Sequence, residues 1–537
     1  MIFMNLWIPG SVILILVVLY KFIIYPLFLC PLSKIPRAHW SCSISPIWIL
    51  WIRYRNRENQ NVHRAHQNLG SIVRLGPYEL SVNSIEAMRT VYSGGFEKGE
   101  WYSSFDNYGI SSVPCMFSTH HSQPHSARKR MVAKVYSKSF IQSSSIIEKQ
   151  SQIILFERLL PLLKNTALPE CFPNGIDIHE IWNATAMDFI TAYIFGLRNS
   201  SNFLENEAVR KRWFHLYNSR KKYDFFPQEL PRLTKFLKRI HINLVPKWVN
   251  EATKEIEAWT KELCETTFDF VQRAAMEEVE AENQPVVFEA ILSGIQKAKD
   301  LEKGSILENT MVKFPELSIA SEVYDHLAAG HETSGITLTY LSWHLSQRQL
   351  VQDALRAELL KLEPNFLLSS SQNHHSLPKV KAIDELPLLH AVLMETLRQR
   401  TAIPGGQPRM TPDVTCSLES YSIPGNMRVG MQAFSAHKNA AAFPNPEIWD
   451  PMRWLDTQNG YTKEQRQERD RWFWAFSSGS RMCIGRNFAM QEIKLIIAAV
   501  YTNFRTRIVD DEGIEQIDGH TCGPASGKLI LELEATK

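Results

Sequence analysis

The sequence predicts a mainly α-helical protein with small β-sheets, arranged as one domain behind a single N-terminal membrane-spanning helix. Three observations support this fold class. A long apolar stretch lies near the amino terminus, runs with helical spacing fill the middle of the chain, and short strand-like pieces follow the Pro- and Gly-rich region after Pro404. No internal repeat, low-complexity tract or long linker divides the rest of the chain.

Composition excludes several classes of protein. The chain has 537 residues and is 44% hydrophobic, which is enough for a large core. Its 59 basic and 56 acidic residues give a net charge of +3, too small to indicate a nucleic-acid partner. No two of its eight cysteines have the CxxC spacing, so neither a dense disulfide framework nor a zinc ribbon is expected. A reducing compartment is therefore favoured.

The first element is the apolar stretch at residues 8–29, whose length matches the roughly 20 residues needed to cross a bilayer. A cleaved signal peptide is the alternative, but residues 1–20 carry no charged side chain and no A-x-A cleavage site follows. Basic residues after the span predict that the larger C-terminal part is cytosolic. These residues are Lys34, Arg37, Arg53, Arg55 and Arg57.

We expect three regions: an anchor at residues 1–30, a proline-containing connector at 31–60, and a catalytic domain at 61–537. Within the connector, the apolar segment 44–52 is too short to span a membrane, so it rests on the membrane or on the domain itself.

The elements of the domain follow from periodicity. Gly76-Pro77 separates two strand-like segments and predicts a hairpin. Helical spacing then extends over residues 146–363 and is clearest at 251–280 and 317–362. A last helical run covers 483–501, and a strand is expected at 529–533.

The strongest chemical signal is a cysteine motif with the spacing FxxGxRxCxG. It consists of Phe476, Gly479, Arg481, Cys483 and Gly485. Average residue frequencies predict this spacing by chance in about one in 10⁴ chains of this length. A thiolate ligand increases electron density at a haem iron, and glycines let backbone amides approach the sulfur. A lone cysteine among glycines is more often a small buried hydrophobic residue than a metal ligand, but the neighbouring motif residues make the ligand interpretation the favoured one for Cys483.

These residues resemble the cytochrome P-450 family, and the resemblance extends over nearly the whole chain. Three further segments match family motifs in the same order. They are Ala329-Gly330-His331-Glu332-Thr333, Glu395-Thr396-Leu397-Arg398, and residues 443–454 ending in Arg453-Trp454. The resemblance implies haem b as cofactor, with Cys483 as its axial ligand and Phe476, Arg481 and Gly485 around it.

The first of these motifs resembles the oxygen-activating part of a long central helix. Gly330 in mid-helix costs about 1 kcal/mol relative to Ala, which suggests a local opening of the helix. The resemblance assigns Thr333 and Glu332 to proton delivery. A packed helix with a tolerated glycine is the alternative, and a zinc-protease motif is excluded because Gly335 stands where a second histidine is required.

The second and third motifs imply a buried structural triad of Glu395, Arg398 and Arg453. Haem propionates need cationic partners, and the run around His125 and Lys129 resembles the helix that supplies them, with Arg409 as another. Arg128 and Arg130 belong to the same run. The family usually has Arg where this chain has Lys129, so it stays open which cation pairs with the propionates. A basic face that is merely solvated is the alternative interpretation of this run.

The same basic run, with five more cations, predicts a positive docking surface. The five are Lys134, Lys138, Arg469, Arg471 and Arg486. The resemblance implies NADPH-cytochrome P-450 reductase as the partner, with cytochrome b5 as a further electron donor.

The resemblance also implies a substrate pocket lined by parts of residues 100–121, by Asp325, Ala329 and Thr333, and by residues 403–406. Its mixed apolar and small residues predict a lipophilic small molecule. The chain is similar to fungal microsomal members, which implies hydroxylation or epoxidation at the endoplasmic reticulum membrane in secondary-metabolite biosynthesis. Two alternatives stay open: a haem-thiolate isomerase or dehydratase, and a non-catalytic haem-binding membrane protein.

Overall fold

The computed structural model describes residues 2–108, 112–167, 174–274, 279–300, 304–368, 376–455 and 460–536. Its α-helices in chain order are α1 Ile2–Leu19, α2 Ile47–Tyr54, α3 Glu58–Leu69, α4 Ile85–Met88, α5 Ser122–Val132, α6 Lys138–Ser143, α7 Ser145–Ile153, α8 Leu160–Thr166, α9 Ile178–Phe195, α10 Glu207–Arg220, α11 Phe225–Glu229, α12 Pro231–Arg239, α13 Lys247–Ala274, α14 Val286–Lys299, α15 Pro315–Ser346, α16 Gln349–Leu359, α17 Val380–Asp384, α18 Pro387–Gln399, α19 Ala433–Ala436, α20 Lys463–Trp472 and α21 Arg486–Asn503. The predicted helical class is confirmed.

Within the described residues, three small sheets accompany the helices. Their strands are β1 Ile72–Gly76, β2 Glu79–Val82, β3 Ile176–Asp177, β4 Arg409–Met410, β5 Cys416–Leu418, β6 Tyr421–Ile423, β7 Arg428–Gly430, β8 Phe504–Asp510 and β9 Ile530–Ala535. The orders are β1-β2-β7-β4, β3-β9-β8 and β5-β6. The antiparallel β1–β2 pair is the predicted hairpin, and β7 joins it in parallel.

Helix α1 continues as a π-helical segment, Tyr20–Leu29, and together they form the candidate anchor. Residues Ser11–Leu29 have a mean hydropathy of 2.6, and none of this window is buried inside the protein. By length and composition the segment can cross a membrane, in agreement with the expected span. Helix α2 instead packs on the domain, because Ile49 and Ile52 are buried against it while Trp51 stays exposed.

Two helical runs differ from the prediction. Residues 317–362 form two helices rather than one, because the chain leaves the helical conformation at Arg348, where φ is −131°. The side chain of Arg348 packs over the ring of Trp449 at 4.9 Å, and α16 then turns towards α21. The predicted run 251–280 is α13 as far as Ala274, and residues 275–278 lie outside the described residues.

The centre of the core is the contact between α9 and α15. Every residue of α9 except His179 and Glu180 is buried, as expected for a helix that is apolar on all sides. Helix α15 is similarly enclosed on both sides of its middle, over most of residues 318–327 and 334–346. Because α9 supports α15 from behind, the side chains Asp325, Ala329 and Thr333 are left to line a cavity on its other side.

Candidate functional site

The loop before α21 presents Cys483, and a glycine makes its fold possible. Gly479 has φ +72°, and a Cβ there would lie 2.1 Å from the carbonyl oxygen of Tyr92. A larger residue would therefore clash with backbone that cannot move aside. The loop closes when the Cys483 amide donates a 3.1 Å hydrogen bond to the carbonyl of Phe476. Phe476, Gly479 and Cys483 are thus linked by backbone geometry as well as by sequence spacing.

The environment of the Cys483 sulfur suits a ligating thiolate. Burial raises the pKa of the Cys483 thiol, while the amides of Gly485 and Arg486 and the positive charge of Lys129 oppose that rise. The side chain is nevertheless accessible. A Cβ at Gly485 would lie 3.9 Å from Sγ, so this glycine keeps the backbone close to the sulfur without filling the space beside it. Amide donors of this kind tune the potential of a metal-bound sulfur.

An excess of positive charge surrounds His125. Desolvation lowers the pKa of this buried histidine to about 2, and Arg481, Lys98, Lys129 and Arg409 lower it further. Within the described part of the chain, Arg481 alone among these four forms an ion pair, with Glu97 at 3.1 Å. Lys98, Lys129 and Arg409 form no ion pair among the described residues, and cations of this kind fit the two propionates of a haem. The residues present therefore match the cofactor that the cysteine motif implies.

The three basic residues 128–130, predicted as one cationic run, lie in three different environments on α5. Arg128 is buried and forms a 2.9 Å ion pair with Glu322 of α15. Lys129 donates to the carbonyls of Ser480 and Met482, at 2.9 and 3.1 Å, and so holds the cysteine loop. Arg130 is exposed. Arg128 was expected at the docking surface or the propionates, and this expectation is wrong because its charge is already neutralised inside the core.

Two further cations lie close to the propionate site. Arg409 donates a 2.7 Å hydrogen bond to the hydroxyl of Tyr102. Lys98, which the sequence did not single out, is buried and donates to the carbonyl of Phe117 at 2.5 Å. Burial lowers the pKa of Lys98 well below its usual value, and Arg409 and Arg481 lower it further. A lone lysine in a mixed segment gives no sequence signal, so this residue could not have been predicted.

Gly330 also has a packing contact that the sequence did not predict. Helix α15 is continuous through this position. A Cβ at Gly330 would lie 2.8 Å from Cγ1 of Ile190. The glycine therefore allows α9 and α15 to approach each other, which is a packing role.

Thr333 and Glu332 lie beside the cavity and have defined partners. Thr333 Oγ1 donates to the carbonyl of Ala329 at 2.7 Å, the backbone bond expected from sequence. Glu332 accepts from the Tyr217 hydroxyl at 3.0 Å and pairs with Lys221 Nζ at 2.5 Å. Burial raises the pKa of Glu332, but Lys221 more than offsets this, so the pKa lies below its ordinary value. Glu332 is therefore ionised near neutral pH.

The structure brings Glu395, Arg398 and Arg453 together as expected. Arg398 contacts both carboxylate oxygens of Glu395, at 2.8 and 2.9 Å, and Arg453 Nε donates to Oε1 at 3.1 Å. All three are at most 3% exposed, so this network is buried rather than a surface pair. Trp454 adds a 3.0 Å hydrogen bond to Glu395.

A histidine that the sequence did not indicate links this triad to the cysteine loop. Arg398 donates to the carbonyl of His437 at 3.0 Å, and the ring of His437 accepts the amide of Trp474 at 2.8 Å. Trp474 stands just before Phe476, so the triad positions the segment that carries Cys483. No spacing pattern marks His437, which explains why it was missed.

The expected docking surface is smaller than predicted. Arg469 is buried and donates to the carbonyl of Arg453 at 2.6 Å, so it supports the triad instead. Lys138 is exposed but pairs with Asp384 at 2.7 Å. The remaining candidates, Lys134, Arg471 and Arg486, are exposed.

A cavity of about 1380 Å³ opens beside α15. The residues predicted to line it do so, including Phe117, Asp325 and Ile403. Residues 109–111 of the predicted lining lie outside the described residues. Many charged side chains also face the cavity, which the expectation of a largely apolar lining did not include.

Helix α11 closes part of the cavity wall through a charged network. Glu229 contacts Arg53 at 2.9 Å and Arg428 at 2.8 Å, and it accepts from Trp101 Nε1 at 2.9 Å. Arg53 also pairs with Glu58 at 2.7 Å and with Glu79. Burial raises the pKa of Glu229, but the two guanidinium groups outweigh it and hold the pKa well below its usual range. The network ties α2, the hairpin and α11 together.

Comparison with known proteins agrees with this geometry. A family model described as Cytochrome P450 matches residues 44–531. The chain belongs to the cytochrome P450 family.

Curated relatives extend the match over nearly the full length of this cytochrome P450. The chain is 23% identical over 529 residues to "Cytochrome P450 monooxygenase orf2" of Aspergillus niger, covering 95% of each chain. It is 25% identical to "Cytochrome P450 monooxygenase BOA3" of Botryotinia fuckeliana, covering 93% of this chain and 90% of the relative. "Cytochrome P450 monooxygenase avaI" of Aspergillus versicolor is 26% identical, covering 80% and 94%. As a cytochrome P450 with these relatives, the chain is a haem-thiolate monooxygenase.

Proposed function

We propose that this cytochrome P450 binds haem b through Cys483 and oxidises a lipophilic small molecule by hydroxylation or epoxidation, in fungal secondary-metabolite biosynthesis. One observation supports this most directly. The hydroxyl of Thr333 and the ionised Glu332 lie on the wall of the same cavity that encloses the substrate. The ionised Glu332 can accept a proton from Lys221 or Tyr217 and pass it on, and the Thr333 hydroxyl can relay it, which provides the proton delivery that oxygen insertion requires.

The chain's own residues divide the work between holding the cofactor and moving protons. When bound, the haem activates dioxygen with electrons delivered by a redox partner. Cys483 would supply the ligating sulfur, and Arg409, Lys98 and Lys129 would neutralise the propionates. Glu332 can exchange protons with the Tyr217 hydroxyl and Lys221, and the Thr333 hydroxyl can relay a proton into the cavity from the face of α15.

Two alternatives are less well supported. A haem-thiolate isomerase or dehydratase rearranges its substrate without dioxygen and needs no proton relay from Thr333 and Glu332. A non-catalytic haem-binding protein has no use for an ionised carboxylate beside its cavity. Glu332 is held in place by a partly buried ion pair with Lys221 and by the Tyr217 hydroxyl, which is consistent with a catalytic role.

We also propose that the protein lies at the endoplasmic reticulum membrane with its domain in the cytosol. The exposed apolar segment Ser11–Leu29 and the basic residues after it support this orientation. Electrons then come from NADPH-cytochrome P450 reductase, with cytochrome b5 as a second donor. The exposed cations Lys134, Arg471 and Arg486 are suited to an acidic partner.

The decisive experiment combines membranes containing the protein with the reductase and a panel of lipophilic compounds. We expect oxygen uptake that depends on NADPH and on a compound, with one oxygen atom from labelled dioxygen found in the product. Membranes lacking only this chain serve as the control. Rearrangement or dehydration of an added hydroperoxide itself, with no NADPH-dependent oxygen uptake with any compound, would instead identify an isomerase or dehydratase.

A further inference from the structure

We propose that Tyr136 and His326 form a redox-active pair that returns an electron to the haem when the oxidised haem meets no substrate. Tyr136 loses one electron, which the haem gains, and the phenolic proton moves to Nδ1 of His326. One electron from ascorbate, a small reductant, then restores the phenol as the proton returns. The inference goes beyond the proposed function and relies on it only for a haem bound by Cys483.

The two side chains are in direct contact inside the core. The Tyr136 hydroxyl and Nδ1 of His326 are 2.9 Å apart, and their ring centroids are separated by 5.4 Å. Tyr136 is 4% exposed and His326 is 6% exposed. Neither is among the described residues that line the cavity, although His326 follows the cavity-facing Asp325 on α15. The pair therefore serves some purpose other than contact with a substrate.

The contact is arranged for proton transfer from Tyr136 to His326. Burial lowers the pKa of His326 to about 4, so its ring is neutral and one ring nitrogen carries no proton. A proton on Nδ1 would leave both the phenolic hydrogen and the bare Nε2 without a partner among the described residues. A proton on Nε2 leaves only that nitrogen unpaired. The second arrangement is favoured, and in it Tyr136 donates to Nδ1.

Tyr136 also lies close to the cysteine that would bind the haem. Asn487, in the first turn of α21, donates from its side-chain amide to the carbonyl of Tyr136 at 3.1 Å. Burial raises the pKa of the Tyr136 phenol, and the negative charges of Cys483, Asp325 and Glu322 raise it further. The same negative charges favour the positive charge that loss of an electron creates. The surroundings of Tyr136 therefore suit a donor of electrons.

A second tyrosine packs against the pair and provides a comparison. Tyr193 meets Tyr136 edge-on at 5.7 Å and stacks on Phe488 of α21 at 4.7 Å. Its hydroxyl donates to the carbonyl of Val135, the residue before Tyr136. A carbonyl oxygen is a far weaker base than an imidazole nitrogen, so this contact does not take up a proton. Oxidation is therefore expected at Tyr136 rather than at Tyr193.

Tyr217 is a competing candidate, because its hydroxyl donates to the carboxylate of Glu332 at 3.0 Å. Two cations lie over its ring, however, with Arg220 and Lys221 at 5.2 and 4.7 Å from the centroid. Nearby positive charges oppose the removal of an electron from a ring. Tyr136 is therefore the more readily oxidised of the two.

The test oxidises the haem without substrate or NADPH. Haem-loaded full-length protein is mixed with meta-chloroperbenzoic acid, frozen within milliseconds and measured by electron paramagnetic resonance. We expect the signal of a tyrosyl radical, which should narrow when the protein is made with ring-deuterated tyrosine. The chain has 16 tyrosines, so variants are needed to assign the signal.

Three variants assign the radical to the pair. Tyr136→Phe should remove the signal, because the phenol is lost. Tyr193→Phe is the matched control and should keep the signal, because it removes a buried hydroxyl from the neighbouring ring alone. His326→Gln keeps a hydrogen-bond acceptor but loses the basic nitrogen, so the amount of radical should fall by at least about tenfold.

Survival of the haem gives a second measurement. With successive additions of the peracid, the haem absorbance of Tyr136→Phe should decay faster than that of the wild type, whereas Tyr193→Phe should decay at the wild-type rate. Ascorbate should slow the decay more in the wild type than in Tyr136→Phe, since it reduces the tyrosyl radical back to the phenol.

The outcomes separate this inference from the proposed function. A wild-type protein that yields no tyrosyl radical overturns the inference, even if Tyr136→Phe does not fold. A radical that persists in Tyr136→Phe with a normal reduced-carbon-monoxide spectrum overturns it as well, and so does equal haem decay in Tyr136→Phe and Tyr193→Phe. Absence of NADPH-dependent oxygen uptake with every compound contradicts the proposed function alone, because the peracid reaction needs neither NADPH nor dioxygen.

Discussion

The hydroxyl of Thr333 donates a hydrogen bond to the carbonyl of Ala329 while its side chain faces the cavity. A second threonine one turn further along α15 has the same backbone bond: Thr337 donates to the carbonyl of Thr333 at 2.8 Å, but it is buried away from the cavity. Replacing each threonine in turn therefore distinguishes a chemical role in the cavity, at Thr333, from a packing role on the same helix, at Thr337.

Thr333→Ala should leave haem binding intact and uncouple the reaction. Without the hydroxyl, protons reach the reacting oxygen less selectively, so more of it leaves as hydrogen peroxide. We expect NADPH consumption to persist while product formed per NADPH falls by about tenfold. The measurement is the ratio of product and peroxide to NADPH consumed.

The control for this prediction is Thr337→Ala, which should keep the ratio of product to NADPH. Equal loss of haem, oxygen uptake and product in Thr333→Ala would show that Thr333 serves packing alone.

Cys483→Ala should abolish the reduced-carbon-monoxide band of a thiolate-ligated haem, because Cys483 is exposed for ligation whereas Cys522, which also lies between glycines, is fully buried. Cys416→Ala, which changes a half-buried thiol in strand β5, should keep the band. A normal band in the Cys483 variant would contradict the assignment of the ligand.

Residue roles that depend on a spacing motif could be predicted from the sequence, and others could not. Cys483 and the pair Glu395–Arg398 are specified by short motifs, so their positions agree with the structure. Lys98 and His437 act through contacts with residues far away in the chain, and nothing near them in the sequence reports those contacts. Gly330 was noticed, but its contact with Ile190 becomes visible only when α9 is packed against α15.

At the scale of elements, helix α18 depends on its buried acid. Glu395→Gln should destabilise the domain by at least about 3 kcal/mol, because two buried guanidinium groups lose their only carboxylate within the triad. We expect a lower urea midpoint and little bound haem, measured together on the purified protein.

The matched control is Glu385→Gln, which changes an exposed acid that pairs with Lys381 at 3.8 Å. This change should alter the free energy of unfolding by less than about 0.5 kcal/mol. Equal stability of the two variants would mean that the triad does not hold the cysteine loop.

Element boundaries were predictable where the local pattern was complete. The hairpin β1–β2 follows from two short apolar segments around Gly76-Pro77. The division between α15 and α16 was not predicted, because apolar spacing continues across Arg348 and only tertiary packing against Trp449 favours the break.

At the scale of the whole molecule, two surfaces are suited to a membrane. The first is the apolar anchor. The second is α12, where Leu233 and Phe236 are exposed beside the cations Lys235, Lys238 and Arg239. An exposed helix with apolar and basic side chains lies in the interface of an anionic bilayer rather than across it.

Deleting residues 1–30 should therefore convert an integral protein into a peripheral one. We expect the truncated protein to bind anionic vesicles at low salt and to leave them at high salt, whereas the full-length chain resists both salt and carbonate. Sedimentation with vesicles measures both. Adding Leu233→Ser and Phe236→Ser to the truncated protein should weaken its binding at low salt.

Resistance of the truncated protein to carbonate would contradict the single-anchor model. This prediction could be made from sequence only in part, because hydropathy identifies the anchor while the exposure of α12 depends on the fold.

The charged network around Glu229 also affects the rate at which the cavity wall between α11 and the hairpin can open. Substrate and product can pass between α11 and the hairpin only if Glu229 parts from Arg53 and Arg428, and the cost of separating such charges is high where water is scarce. Opening of the cavity at this wall is therefore slow. If product leaves between α11 and the hairpin, its residence time rather than oxidation itself is expected to limit turnover.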